Sequence, residues 1–258
     1  MKGIIIGDII GSGYINHPEP TLDIQLFNPQ SSFTDNTILT ISTADALLRE
    51  KNIETSMKEW VKKFPIAGYL PHFFEWALSN KAYLELEEEK IAITRISPIG
   101  FASSTLEEAQ NKAEITSRII NHTPQCINTS RVCAGSIFLA KQGESKKTIK
   151  TYVEDTLKLK LAKNRADYKE DINRHTICSD KFIKLIFASF LESNDYEDAI
   201  RKVIYFGGPT NTLASITGGI AQAYYKHIPK SLIRKAYSRL SPDIFNIITE
   251  FEKNYFPS

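Results

Sequence analysis

The feature that most constrains this chain is the recurrence of apolar residues at helical spacing in one segment after another, with almost no period-two alternation. Thr37 to Glu50 sets Ile38, Ile41, Leu47 and Leu48 near one face, directly after the cap-rich Thr34-Asp35-Asn36. Leu106 to Asn121, Arg131 to Lys141 and Ser145 to Lys160 predict three more helices, the last with a serine cap at its start and basic residues at its end. Lys181 to Ser193 is apolar over too broad a surface for a solvent-facing helix, which predicts a central position. Asp195 to Phe206 follows a cap at Asn194 or Asp195. Leu213 to Tyr225 carries Ala214, Gly218, Gly219, Ala221 and Ala223, small residues that allow a close helix neighbour. Two helices close the chain, one after Pro229 and one opened by Ser241 as cap with Pro242 in the first turn, where a missing N–H costs nothing. The expected fold class is all-α.

At 258 residues, 42% hydrophobic and 24% charged, the chain can bury one substantial core, and one domain over 1–258 is expected. Phe64 to Glu89 is the least regular stretch, with Pro65, Pro71, Phe73, Phe74, Trp76 and an acidic run from Glu85 to Glu89. It reads as a peripheral helical segment, with Tyr69 to Trp76 as a candidate exposed aromatic patch. The formal charge of +2 argues against a nucleic-acid partner, and the Lys-dense stretch from Lys141 to Lys163 is interleaved with Glu144, Glu154 and Asp155 as a solvated face would be. The apolar run Ile4-Ile5-Ile6 is broken by Gly7 and Asp8 well short of a membrane span, so a cytoplasmic protein with no membrane partner is expected. Cys126, Cys133 and Cys178 lie far apart with no CxxC pair and no histidine at metal-site spacing, which predicts buried free thiols rather than a zinc site.

Three segments join glycine, Asx or Thr residues to a helix start, where anions and cations are commonly held. They are Gly7-Asp8-Ile9-Ile10-Gly11-Ser12, Phe33-Thr34-Asp35-Asn36-Thr37, and Gly207-Gly208-Pro209-Thr210-Asn211-Thr212. Each taken alone is also what a capped helix N-terminus looks like. His122, in Asn121-His122-Thr123-Pro124-Gln125, is a loop or cap residue on the same grounds, and His17, His72, His175 and His227 have no evident partner.

Taken in order and with Arg95-Ile96-Ser97-Pro98-Ile99-Gly100 between the second and third, these segments resemble the ADP-ribosylglycohydrolase family over almost the whole chain. The small-residue run from Leu213 to Tyr225 extends the match. The resemblance implies a compact multi-helix orthogonal bundle. In the family two magnesium-type ions lie between the Thr-Asp motif and the C-terminal Gly-Gly motif, where oxygen ligands and accumulated carboxylate charge suit hard cations. Carried over, the metal positions fall on Thr34, Asp35, Asn36, Asn211 and Thr212, and the ligand-binding positions on Asp8, Ser12, Ser97 and His122. Asp35 is the catalytic candidate if the chain is active.

Several family positions have changed. Asn36 and Asn211 stand where the family has aspartates, Pro209 replaces another, and the acidic residue expected beyond the first motif falls at Ile15. Glu88-Glu89-Lys90-Ile91-Ala92-Ile93 replaces a glycine-rich approach to the ligand, and Ser179-Asp180-Lys181-Phe182 replaces a Cys-Gln-Gly-Ser-like loop. One carboxylate cannot neutralise two divalent ions, so no cofactor, or at most one weakly bound magnesium, is expected. The foremost expectation is a pseudoenzyme that binds a protein: an ADP-ribosyltransferase, an ADP-ribosylated target or a related glycohydrolase. Two alternatives stay open, an ADP-ribose binder without turnover and a residual magnesium-dependent hydrolase resting on Asp35.

Overall fold

The computed structural model describes residues 1–15, 22–81, 89–161 and 180–256. Every regular element in them is an α-helix, so the fold class is all-α. In chain order the helices are α1 (Lys2–Ser12), α2 (Asp35–Arg49), α3 (Ile53–Lys63), α4 (Pro71–Leu78), α5 (Glu89–Thr94), α6 (Ser97–Ala102) and α7 (Leu106–Arg118). They continue with α8 (Pro124–Lys141), α9 (Lys146–Leu157), α10 (Asp180–Glu192), α11 (Tyr196–Ile204), α12 (Thr210–Tyr225), α13 (Lys230–Tyr237) and α14 (Pro242–Tyr255). The acidic run from Glu85 to Glu88, His17, His175, Cys178 and Ser179 lie outside the described residues.

Local chemistry starts most of these helices where the sequence says it should. Thr34, Asn52, Thr105, Thr123, Ser145, Asp195 and Ser241 each accept a hydrogen bond from a first-turn backbone N–H. Of the two residues predicted to cap α11, Asp195 is the cap. Several boundaries move. The segment predicted to begin at Arg131 is α8, which starts earlier at Pro124. The one predicted to reach Asn121 ends at Arg118. The helix predicted to run to Lys160 stops at Leu157, where Lys158 takes the left-handed conformation, and its last turn holds no basic residue.

The frame of the molecule is the antiparallel pair α1 and α12, and α1, like α3, α5 and α6, is a helix that the sequence reading did not name. Ile4, Ile5, Ile6, Ile9 and Ile10 are all fully buried, and every residue from Gly3 to Gly11 is buried, so α1 has no solvent-facing side for an amphipathic pattern to mark. Gly3, Gly7 and Gly11 recur every four residues on α1 and meet Gly218, Ala214 and Thr210, which recur every four on α12. A methyl group placed on Gly7 would lie 2.1 Å from the Ala214 carbonyl oxygen, and one on Gly11 would lie 2.4 Å from that of Thr210. The backbones are therefore in contact, as the small residues of α12 predicted. The Tyr196 hydroxyl donates to the Gly3 carbonyl at 2.7 Å, and Gly3 N–H donates to the Gln222 side chain at 2.7 Å. α10 is central as expected, with Phe182, Ile183, Leu185, Ile186, Phe187 and Phe190 buried.

Two sequence expectations are overturned. The aromatic stretch from Tyr69 to Trp76 is not an exposed patch, because Phe73 and Trp76 are buried in a small cluster with Leu39, Met57 and Val61. An eight-residue helix with aromatics three apart turns both onto one face, and here that face is covered. The large apolar side chains exposed on and before this helix are aliphatic: Ile66, Leu70 and Leu78. The cysteines also differ from expectation. Cys133 is a buried free thiol, but Cys126 is disulfide-bonded. Spacing along a chain does not report which β-carbons the fold brings together.

Candidate functional site

The site forms where α1, the first turn of α2 and the first turn of α12 converge, and a single carboxylate organises it. Asp8 is fully buried on α1. Its Oδ1 accepts from the Thr34 hydroxyl at 2.7 Å and from Asn36 Nδ2 at 3.2 Å. Its Oδ2 accepts from the Thr34 N–H at 2.8 Å and from the Thr37 hydroxyl at 2.6 Å. A carboxylate has about four lone-pair directions; those of Asp8 are all taken by the chain itself. Burial pushes its ionisation upward and the Asp35 charge adds to this, while the donors on Thr37 and Thr34 pull the other way without cancelling it.

The network then crosses to α12. Asn36 Nδ2 also reaches Thr212 Oγ1 at 3.3 Å, and Asn211 Nδ2 donates to Thr34 Oγ1 at 3.2 Å. The orientation of the Asn36 amide follows from its neighbour: Asp8 can only accept, so the NH2 group must face it and the oxygen must turn away. That oxygen, Asn36 Oδ1, is buried without a hydrogen-bond partner among the described residues. Asp35 is buried beside the network, its Oδ1 accepting from Asn36 N–H at 3.0 Å and its own N–H donating to the Ala67 carbonyl at 2.7 Å. The loop carrying Ala67 also brings Tyr69 close. Burial, and then the Asp35 charge, hold the Tyr69 hydroxyl strongly against ionisation.

The first motif is not a helix start. Gly7 to Ser12 forms the C-terminal half of α1, so its glycines serve helix contact with α12 rather than anion binding at free N–H groups. The second and third motifs are helix starts. Thr34 caps α2, and α12 begins after Gly207 and Gly208 at φ of 70° and 71°, with Pro209 at the cap position and no side-chain cap.

Of the sequence-predicted site residues, the fold joins Asp8, Thr34, Asn36, Asn211 and Thr212 in one hydrogen-bonded cluster with Asp35 at its edge. Ser12 lies apart from it, bonding Ile9 and Ser32. Ser97 is buried at the start of α6 against Gly219, and His122 is exposed just before the Thr123 cap of α8. Thr37 and Tyr69 were not among the predicted site residues. Thr37 had a legible signal, since it lies three residues after Thr34 and shares its face; Tyr69 had none.

The family's pair of divalent ions does not fit this donor set. Asp8 has no free lone pair, Pro209 offers no ligand, and the Asn36 NH2 group occupies the side where a cation would need oxygen. Among the described residues no three His, Cys, Asp or Glu side chains lie together as metal ligands would.

Comparison with known proteins agrees on the fold. One solved structure, titled "ADP-ribosylglycohydrolase-related protein complex", superposes with a TM-score of 0.72 at 17% identity, over 97% of this chain and 94% of that one. No curated protein matches the chain. The sequence model of the ADP-ribosylglycohydrolase family matches residues 1–253, nearly the full length that α1 and α12 hold together, and on that match the chain belongs to the ADP-ribosylglycohydrolase family.

Proposed function

We propose that this protein is a non-hydrolysing member of its family that works by binding a protein in an ADP-ribosylation setting: a transferase, a modified target or an active glycohydrolase. The observation that supports the reading is the closed set of four hydrogen bonds on Asp8, which ties Thr34 and Asn36, two of the positions that the resemblance gives to a metal, into a structural joint between α1 and α2. Support for binding comes from the loop over Asp35. It holds Ile66, 96% exposed, one residue from the Ala67 carbonyl that accepts from Asp35 N–H, and Leu70 is exposed nearby. Aliphatic groups set outward beside a site suit a protein surface better than a sugar phosphate.

A second reading rests on Asn36 Oδ1. A buried oxygen with no partner can accept from a ribose hydroxyl or hold one weakly bound magnesium, which would make the chain an ADP-ribose binder or a residual hydrolase through Asp35. The experiment follows ADP-ribose release from a modified protein with and without magnesium, beside surface-immobilised binding to the same protein, modified and unmodified. Binding without release, weakened by Ile66→Asp, supports the first reading. Magnesium-dependent release lost in Asp35→Ala overturns it.

A further inference from the structure

Away from the Asp8 cluster, the opposite ends of α1 and α12 help to wall a cavity of about 600 Å³ completed by α8, α13 and α14. Pockets for small organic ligands span roughly 300 to 1,000 Å³. Its walls hold four lysines, Lys2, Lys141, Lys226 and Lys230, and a single carboxylate, Glu252. The whole chain carries a formal charge of only +2, so this one cavity gathers more positive charge than the molecule has in total.

The one carboxylate is already engaged. Glu252 Oε1 accepts from the Met1 amine, from Lys2 N–H at 3.1 Å and from Gln222 Nε2 at 3.0 Å, and Lys2 Nζ stands 3.5 Å from Oε2. Lys141 Nζ is turned to the Phe101 carbonyl at 2.6 Å. Lys226 and Lys230 form no ion pair among the described residues and have no other partner of charge.

Lysines commonly sit near helix C-termini to offset the helix dipole, and α8, α12 and α14 all end here. Each such end is worth about half a negative charge. The N-terminal ends of α1 and α13 also face the cavity with about half a positive charge each, which leaves the dipoles close to balance. Three lysines in excess of carboxylate exceed what the helix ends require. The remaining wall is Gln222 and His227 together with an apolar and partly aromatic part made by Ala223, Ile228, Ile233, Tyr255 and Phe256.

We propose that this cavity is a second ligand site, separate from the Asp8 cluster, for an organic polyphosphate of the nucleoside diphosphate class. Lys226, Lys230 and Lys141 supply the charge for the phosphates as point cations, and Tyr255 and Phe256 supply a flat surface for a base. The reading does not depend on the function proposed above, because it uses none of the same residues.

Calorimetric titration of the full chain with ADP, pyrophosphate and adenosine tests it, repeated on the Lys226→Glu/Lys230→Glu double variant and on Asp35→Ala. The expected result is that ADP binds more tightly than either fragment, that binding weakens with added salt, and that the double variant weakens it by about tenfold or more with its helical content unchanged. Asp35→Ala should leave it unaltered. No binding of ADP, equal binding of ADP and pyrophosphate, or a loss that follows Asp35→Ala and not the double variant would each overturn the proposal.

Discussion

Asp8 on α1 and Thr37 on α2 meet through a 2.6 Å hydrogen bond deep inside the protein, and this contact joins the two helices at the place where the family resemblance implies ligand chemistry. Truncating Asp8→Ala should leave the donors on Thr34, Asn36 and Thr37 without an acceptor. At about 1–3 kcal/mol for each buried group left unsatisfied, a loss of about 3 kcal/mol or more is expected in urea unfolding.

The same residue gives a pH dependence of defined sign. Burial raises the Asp8 ionisation above its unfolded value near 3.8, so the stability it contributes is fully present below that value and is lost as pH rises through the folded one. Subtracting the stability curve of Asp8→Asn from that of the wild type should therefore give a difference that falls with pH from about 4 upward and then levels. A difference that rises over this range would show that the hydrogen bonds outweigh burial.

Gly7→Ala is expected to be among the most damaging single methyl additions in the chain. The new β-carbon would lie 2.1 Å from the Ala214 carbonyl oxygen, a backbone atom that cannot turn aside. Overpacking of this kind costs about 1–3 kcal/mol and more where backbone must shift. The denaturation midpoint reads it. Gly143→Ala, facing open space at φ +87°, is the control and should cost about 1 kcal/mol from conformation alone.

Restoring the family's acidic residues should create the metal dependence that the present donor set opposes. Asn36→Asp puts a second carboxylate against Asp8, where the amide now lies 3.2 Å away, and without a cation this repulsion should lower the melting temperature. Pro209→Asp gives α12 the side-chain cap it lacks and should be tolerated. The Asn36→Asp/Pro209→Asp/Asn211→Asp variant is expected to gain a magnesium-dependent rise in melting temperature, and the wild type to show none with either magnesium or a chelator. A wild-type response to magnesium would point instead to the uncommitted Asn36 oxygen.

Burial pushes the Cys133 thiol up to about 12, so it should resist alkylation in the native protein and react only after unfolding. Cys126, being disulfide-bonded, should need reduction as well as unfolding. Mass spectrometry after differential alkylation distinguishes the two, and rapid native labelling of Cys133 would contradict the packing around α8.

Most of the helices, several of their caps, the close contact made by α12 and the family resemblance were legible in the sequence, while α1, α3, α5 and α6 were not. All of them depend on residues a few positions apart, or on motifs in a fixed order, and both survive in a one-dimensional record. Ser241 before Pro242 predicts the start of α14 because a cap and its N–H partner lie within one turn. Other outcomes depended on residues far apart in the chain. α1 escaped notice because burial on all sides erases periodicity, and its glycines make sense only beside Ala214 and Thr210. Phe73 and Trp76 looked exposed until Leu39 and Met57 covered them. The sequence alone determined that Asp35 stands beside the neutral Asn36 and Asn211, where the resemblance implies aspartates. Only the tertiary structure decided what became of the site, because whether an oxygen is free to bind a ligand depends on which donors reach it. For Asp8 those donors arrive from Thr34, Asn36 and Thr37 on another helix, and they occupy every lone pair it has.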